Sequence, residues 1–128
     1  MRIFGIGIDV VEVERIGSSM AEFGDRFAAR VFTDSERAYC DSQRRPEIHY
    51  AARFAAKEAI AKAFGTGIGK ELGWLDMEII RKESGEPSLV LSGAGKAFAE
   101  LSGISEVKIS LSHARHYAAA NAVAMAES

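Results

Sequence analysis

The chain has 128 residues, of which 48% are hydrophobic and 27% charged, and a formal charge of −2 at pH 7. That length predicts one domain over residues 1–128, with a real core and little room for a second. The near balance of charge supplies no broad basic field, which argues against nucleic acid or anionic lipid as partners and leaves only local basic clusters in "RFAAR" and "QRRPE". The single cysteine, Cys40, cannot close an internal disulfide or supply a CxxC metal site. The apolar start meets Asp9 and Glu12 too soon for a signal peptide, and no apolar run is long enough for a membrane span, so the expected location is the cytoplasm.

In chain order, Arg2 to Val13 reads as a strand dense in β-branched and apolar residues, with Gly5 and Gly7 leaving room for another backbone to approach. Asp9, within "IGIDVV", is out of character for such a strand. It must be exposed at a strand end or held by a partner, because burying an unpaired carboxylate costs several kcal/mol. A magnesium ion would be such a partner. It takes one or two carboxylates and fills its other positions with water and phosphate oxygens.

A helical pattern follows through Glu14, Arg15, Ile16, Met20 and Phe23, stopping near Gly24, and "DRFAARVF" reads as a short basic turn. "TDSERAYC" opens another helix, with Thr33 and Glu36 in the spacing of a structural capping box. Pro46 breaks it and starts a helix from about Ile48 to Phe64, whose apolar positions Phe54, Ala55, Ala59, Ile60, Ala63 and Phe64 recur at helical spacing. On that helix Glu58 and Lys62 stand four apart, which by default predicts a solvated ion pair. Lys57 projects about 100° away from Glu58 and need not share its face, and Arg53 is only loosely on the same side.

Gly65, Gly67 and Gly69 follow, then Lys70. They do not make a Walker A loop, because Gly65 and Gly69 enclose too few residues and Glu71 stands where Ser or Thr should meet magnesium. Leaving a helix rather than a strand, they fail as a dinucleotide fingerprint too. A helix C-cap with an open loop is favoured over a phosphate cradle. "LDMEIIRKE" and "PSLVLS" read as a β-hairpin, "GAGKAFAELSG" as a short helix, and "EVKISLSH" as a half-buried strand with Val107, Ile109 and Leu111 inward. "YAAANAVAMA" stays open between helix and strand. The element order predicts an α+β fold with helices on one face of a mostly antiparallel sheet. No Ser–His–Asp or Cys–His constellation can be argued; Cys40 reads as packing, the lone His113 by default as a satisfied surface or core residue, and His49 and His116 have no obvious partners.

Taken together, in this order and at this length, "GIGIDVVEVERI", "RFAAKEAIAKAFGTGIG" and "ISLSHARHYAAA" resemble the bacterial holo-acyl-carrier-protein synthases, the small stand-alone class of 4′-phosphopantetheinyl transferases. The resemblance implies the fold of that superfamily, with the last alanine-rich segment a strand. It implies transfer of the 4′-phosphopantetheine arm of coenzyme A to a serine of apo-acyl carrier protein, with release of adenosine 3′,5′-bisphosphate, in support of fatty acid biosynthesis. It places the metal ligands for magnesium on Asp9 and Glu58 and a catalytic, phosphate-contacting lysine on Lys62. Arg53, Gly65 and His113 become coenzyme A contacts, and Arg15, with Arg26 nearby, a docking surface for an acidic carrier. The serine's proton is expected to go either to Glu58 or to a water on the magnesium. A homotrimer with active sites between neighbouring subunits is implied as well.

The chain departs from the family at Ala114, where some members carry a hydroxyl residue; Ser112 is the nearest hydroxyl that could stand in. The competing class is a small α+β module that binds a nucleotide or assembles without catalysis, for which Asp9→Ala would be harmless.

Overall fold

A computed structural model describes residues 1–127. Strand β1 (Arg2–Glu12) is followed by four helices, α1 (Val13–Phe23), α2 (Asp25–Val31), α3 (Asp34–Asp41) and α4 (Pro46–Phe64). A single 3-10 turn (Trp74–Asp76) leads into a hairpin of β2 (Met77–Arg81) and β3 (Pro87–Leu91). Helix α5 (Gly93–Ser102) and strands β4 (Ile104–His113) and β5 (Tyr117–Ala126) complete the chain. The strands form two antiparallel sheets, one in the order β1-β5-β4 and the other the β2-β3 hairpin.

The fold is α+β, with the long helix α4 lying on one face of the three-stranded sheet. Small side chains decide how closely it lies. The α4-facing residues of β5 are Ala118, Ala120, Ala122 and Ala124, all buried; the last three share a core with Ala55, Ala56, Ala59 and Ala63 of α4, and Ala118 with Ala51 and Ala52. On β1 a Cβ added at Gly5 or Gly7 would stand 2.0 Å from a carbonyl oxygen of α4, that of Ala63 or Ala59. Only hydrogen fits there. The alanine run of β5 is therefore a strand despite alanine's helical preference, because tertiary packing requires small residues beneath the helix.

A β-bulge between Ile3 and Gly5 resets the alternation of β1. Beyond it Gly7, Asp9 and Val11 face α4, while Ile6, Ile8 and Val10 face away and are 69%, 65% and 60% exposed. The far face of β1 is bare and apolar.

A buried ion pair joins the helices to the hairpin. Lys57 Nζ donates to Glu36 Oε1 at 2.7 Å, to the carbonyl of Val31 at 2.7 Å and to that of Trp74 at 3.1 Å. Glu36 Oε1 also accepts from the backbone N–H of Thr33, completing the expected capping box of α3, and Oε2 accepts from the N–H of Ile79 on β2. Both side chains are fully buried.

Two expectations need correction. "DRFAARVF" is mostly helix, not a turn: α2 buries Ala28 and Val31, and Phe27 packs on the same core. Helix α4 begins at Pro46 itself, which occupies the first turn where a missing N–H is harmless. Cys40 is buried, and burial pushes its thiol up to about 12, so it is inert packing as expected. Among the described residues no helix is long and apolar enough to cross a membrane.

Because the Lys57–Glu36 pair is buried, Lys57→Met should destabilise the protein by about 3–5 kcal/mol, mostly by stranding the Glu36 charge. Urea unfolding of Lys57→Met, Glu36→Gln and the double variant tests this. The double change should cost clearly less than the sum of the single ones.

Candidate active site

The strand period and the helix period bring Asp9, Glu58 and Lys62 together. Asp9 is the next α4-facing residue of β1 after Gly5 and Gly7, whose missing side chains let the helix descend. Lys62 Nζ bonds Asp9 Oδ1 at 3.2 Å and the carbonyl of Ile8 at 2.9 Å. Glu58, one turn earlier on α4, opens into the same cleft as Asp9, together with Arg15, Ile16 and Ser19 of α1, Phe27 and Phe54. The default pairing of Glu58 with Lys62 is not formed; the lysine reaches across to the strand instead.

Burial first, and then the charge of Asp9, hold the Glu58 carboxyl above the usual carboxylate range, while Lys62 pulls the other way. Two carboxylates share a half-buried cleft, and only one of them has a basic partner. The Lys62 side chain is 52% exposed, so its pairing contributes at most about 1 kcal/mol and is easily given up to a stronger anion.

The other expected coenzyme A contacts lie elsewhere. Nine residues at about 100° each place Arg53 about 180° round α4 from Lys62, and His49 likewise from Glu58. Arg53 and His113 line a second cleft with Tyr39, His49, Leu111, Ile79, Arg81, Gly85 and Pro87, between α4, β4 and the hairpin. Gly65 is the left-handed C-cap of α4 at φ 79, so the helix-stop reading holds, and a side chain there would meet open space. Arg15 lines the carboxylate cleft, whereas Arg26 is exposed on α2 and does not reach it.

Ser112 cannot take the place of the hydroxyl missing at Ala114. It pairs with Ala119 and lies on the opposite face of the sheet from Leu111 and His113. His49 and His116, without visible partners in the sequence, have them here: the His49 ring packs on Tyr39 and His113, and His116, in the β4–β5 turn, bonds Glu14 on α1. His49 was legible in one respect, since it stands four residues before Arg53 on the same helical face. Arg81 had no local signal, because only the folded hairpin carries it to the cleft.

The 4′-phosphopantetheinyl transferase superfamily model matches residues 5–122. The chain belongs to that superfamily. A curated holo-acyl-carrier-protein synthase of Chlamydia trachomatis serovar L2 is 48% identical over 122 residues, 95% of this chain and 99% of that protein. The crystal structure of the holo-acyl-carrier-protein synthase from Neisseria meningitidis matches with TM-score 0.90 at 36% identity, covering 96% of this chain and 98% of that one. The Helicobacter pylori synthase, solved in complex with coenzyme A, matches with TM-score 0.84 at 34% identity over 94% and 99% of the two chains. The chain is thus a member of the holo-acyl-carrier-protein synthase group, a phosphopantetheinyl transferase with the fold of that superfamily.

The raised value of Glu58 has a sign that can be tested. Its ionised form is less stable folded than unfolded, so the stability that Glu58 contributes below the ordinary carboxylate range is lost as pH rises through its raised value. Glu58→Gln should therefore raise the melting temperature of the metal-free protein at pH 7 by a few degrees. The gain should shrink below pH ~4, where both forms of the residue are neutral. Thermal melts in a chelator at the two pH values check it.

Proposed function

We propose that the chain transfers the 4′-phosphopantetheine arm of coenzyme A to a serine of an apo-acyl carrier protein, in the cytoplasm and in support of fatty acid biosynthesis. The observation that carries this reading is the convergence of Asp9 and Glu58 in one cleft, with Lys62 bonded to Asp9, in a chain that belongs to the transferase superfamily.

The donor set of that cleft fits magnesium. Asp9 and Glu58 are two hard oxygen ligands, too few to enclose an ion and enough to hold one that keeps water and phosphate oxygens. When bound, the ion would neutralise pyrophosphate and leaving-group charge. Lys62, released from Asp9 at small cost, would face the phosphates and stabilise the departing bisphosphate. The acceptor serine oxygen bonds to the phosphorus carrying the pantetheine, the pyrophosphate P–O bond breaks, and adenosine 3′,5′-bisphosphate leaves. Ligation of a cation would return Glu58 to the ordinary carboxylate range, so its part is to hold the ion, and the serine proton passes to water in the cleft.

The Arg53–His113 cleft would take the nucleotide end of coenzyme A. It opens on a different side of α4 from the carboxylates, which favours a site shared between copies of the chain. The bare sheet face offers the means: Ile3, Ile6, Ile8 and Val10 are 59–69% exposed, an apolar patch of the kind that marks an interface. A homotrimer would cover it, with the carboxylates of one protomer beside the nucleotide cleft of the next. Arg15, at the mouth of the carboxylate cleft, and Arg26 on α2 would steer an acidic carrier.

Incubation with apo-carrier protein, coenzyme A and magnesium should add the mass of one phosphopantetheine arm to the carrier. Asp9→Ala and Lys62→Ala should each slow transfer by about 10²–10³-fold. Arg15→Glu should raise the KM for the carrier at low salt, with the effect fading as salt is added. No mass gain on the carrier with the wild type would instead favour the non-catalytic module, and full activity of Asp9→Ala would remove Asp9 from the metal site. For the assembly, sedimentation should show a trimer, and Ile8→Lys should give a folded monomer with little transfer activity.

A further inference from the structure

The second cleft holds more cationic chemistry than the two residues expected there. Arg53 is 3% exposed, its guanidinium lies 4.3 Å over the Tyr39 ring, and its Nε finds no hydrogen-bond partner among the described residues. A buried donor left without an acceptor is destabilising, and an anion in the cleft would satisfy it. Arg81 donates to the Tyr39 hydroxyl at 2.8 Å, and the rings of His49 and His113 stand 5.6 Å apart.

His49 is half-buried at the centre of this group. Around it are Tyr39 from α3, His113 from β4, Arg81 from β2 and Arg53 from its own helix, with Glu47 two residues away. Of these, Glu47 alone favours a positive charge. Burial first, then His113, Arg53 and Arg81, hold the imidazole below its usual range. Without an anion beside it, burial and these neighbouring cations disfavour a proton on His49.

We propose that His49 is the proton-coupled member of the nucleotide cleft: it takes up a proton as a phosphomonoester dianion enters, so that binding of the nucleotide end of coenzyme A tightens as the pH falls. This rests on the reading above that the cleft takes that end of the substrate. The physical reason is a reversal of sign. In the empty cleft a proton on His49 adds a cation beside two guanidinium groups; with a dianion among them, the same proton meets an attractive charge. A ligand that prefers the protonated form raises that group's proton affinity, and the two equilibria are linked. Between the free and the bound value of His49, affinity falls with rising pH by up to about tenfold per pH unit. Above the bound value the dependence ends.

Calorimetric titration of the full chain with adenosine 3′,5′-bisphosphate at pH 7.5, in buffers of different ionisation enthalpy, counts the protons taken up. The wild type should show net uptake that His49→Gln lacks and His113→Gln largely keeps. His49→Gln should also bind several-fold more weakly than wild type at pH 6.5 and nearly as well at pH 8.5. Binding by the wild type without uptake, or the same uptake by His49→Gln, would overturn the role of His49 and leave the nucleotide cleft standing. If the wild type does not bind the bisphosphate at all, the assignment of the cleft fails and this inference with it. His49→Asn, with a melting curve beside each variant, separates loss of the imidazole from loss of fold.

Discussion

The buried pair of Lys57 and Glu36 fixes the rotation of α4, and most of the site follows from that rotation. Three donors of one ammonium group meet a carboxylate and two carbonyls, drawn from α3, the end of α2 and the turn before β2. Burial pushes the lysine below its usual range while Glu36 holds it up, so the pair survives only because nearly every polar valence is met. With Lys57 pinned inward, Glu58 is turned about 100° away, towards the cleft at the edge of β1. The charge that looks most functional in "AAKEA" is the structural one, and its neighbour is the one left facing solvent and strand.

A second constraint sets depth rather than rotation. Gly5 and Gly7 have no room for a methyl group beneath Ala63 and Ala59, so β1 and α4 meet backbone to backbone. Lys62 can then reach both Asp9 and the carbonyl of Ile8 from the next helical turn. Alanines along β5 continue the same close seam under the helix. The small residues of three separate segments, unremarkable one by one, are a single packing solution that delivers one carboxylate to another.

These facts explain which features were readable from the residues. Gly5, Gly7 and the misplaced Asp9 announced a close approach and a partner, because period-two alternation puts all three on one face. The capping box, the helix stop at Gly65 and the hairpin are local chemistry, and each stands where the residues placed it. The short helix α2 was missed because seven residues carry too little periodicity to separate from a turn. Lys57 with Glu36, and Arg81 with the histidines, were out of reach for another reason. Their partners lie 21 or more residues away, and nothing in their own neighbourhoods records the pairing. Asp9 was already conspicuous in its strand and Lys62 was picked out by resemblance; the convergence of Asp9, Glu58 and Lys62 was visible only after folding.

Helix α4 also explains why the polar groups sort into two clefts. His49 and Arg53 form one four-residue pair, Glu58 and Lys62 another, and the offset of nine residues between them is two and a half turns. Any helix carrying that spacing must show the pairs to opposite sides. No side-chain rearrangement can merge them, because Ala55, Ala56 and Ala59 between them are sealed against the sheet. A substrate whose phosphates engage both clefts must either wrap round α4 or lie between two copies of it. The exposed isoleucines on the far side of the sheet favour the proposed association of copies, since one that covered them would also bring the two kinds of cleft face to face.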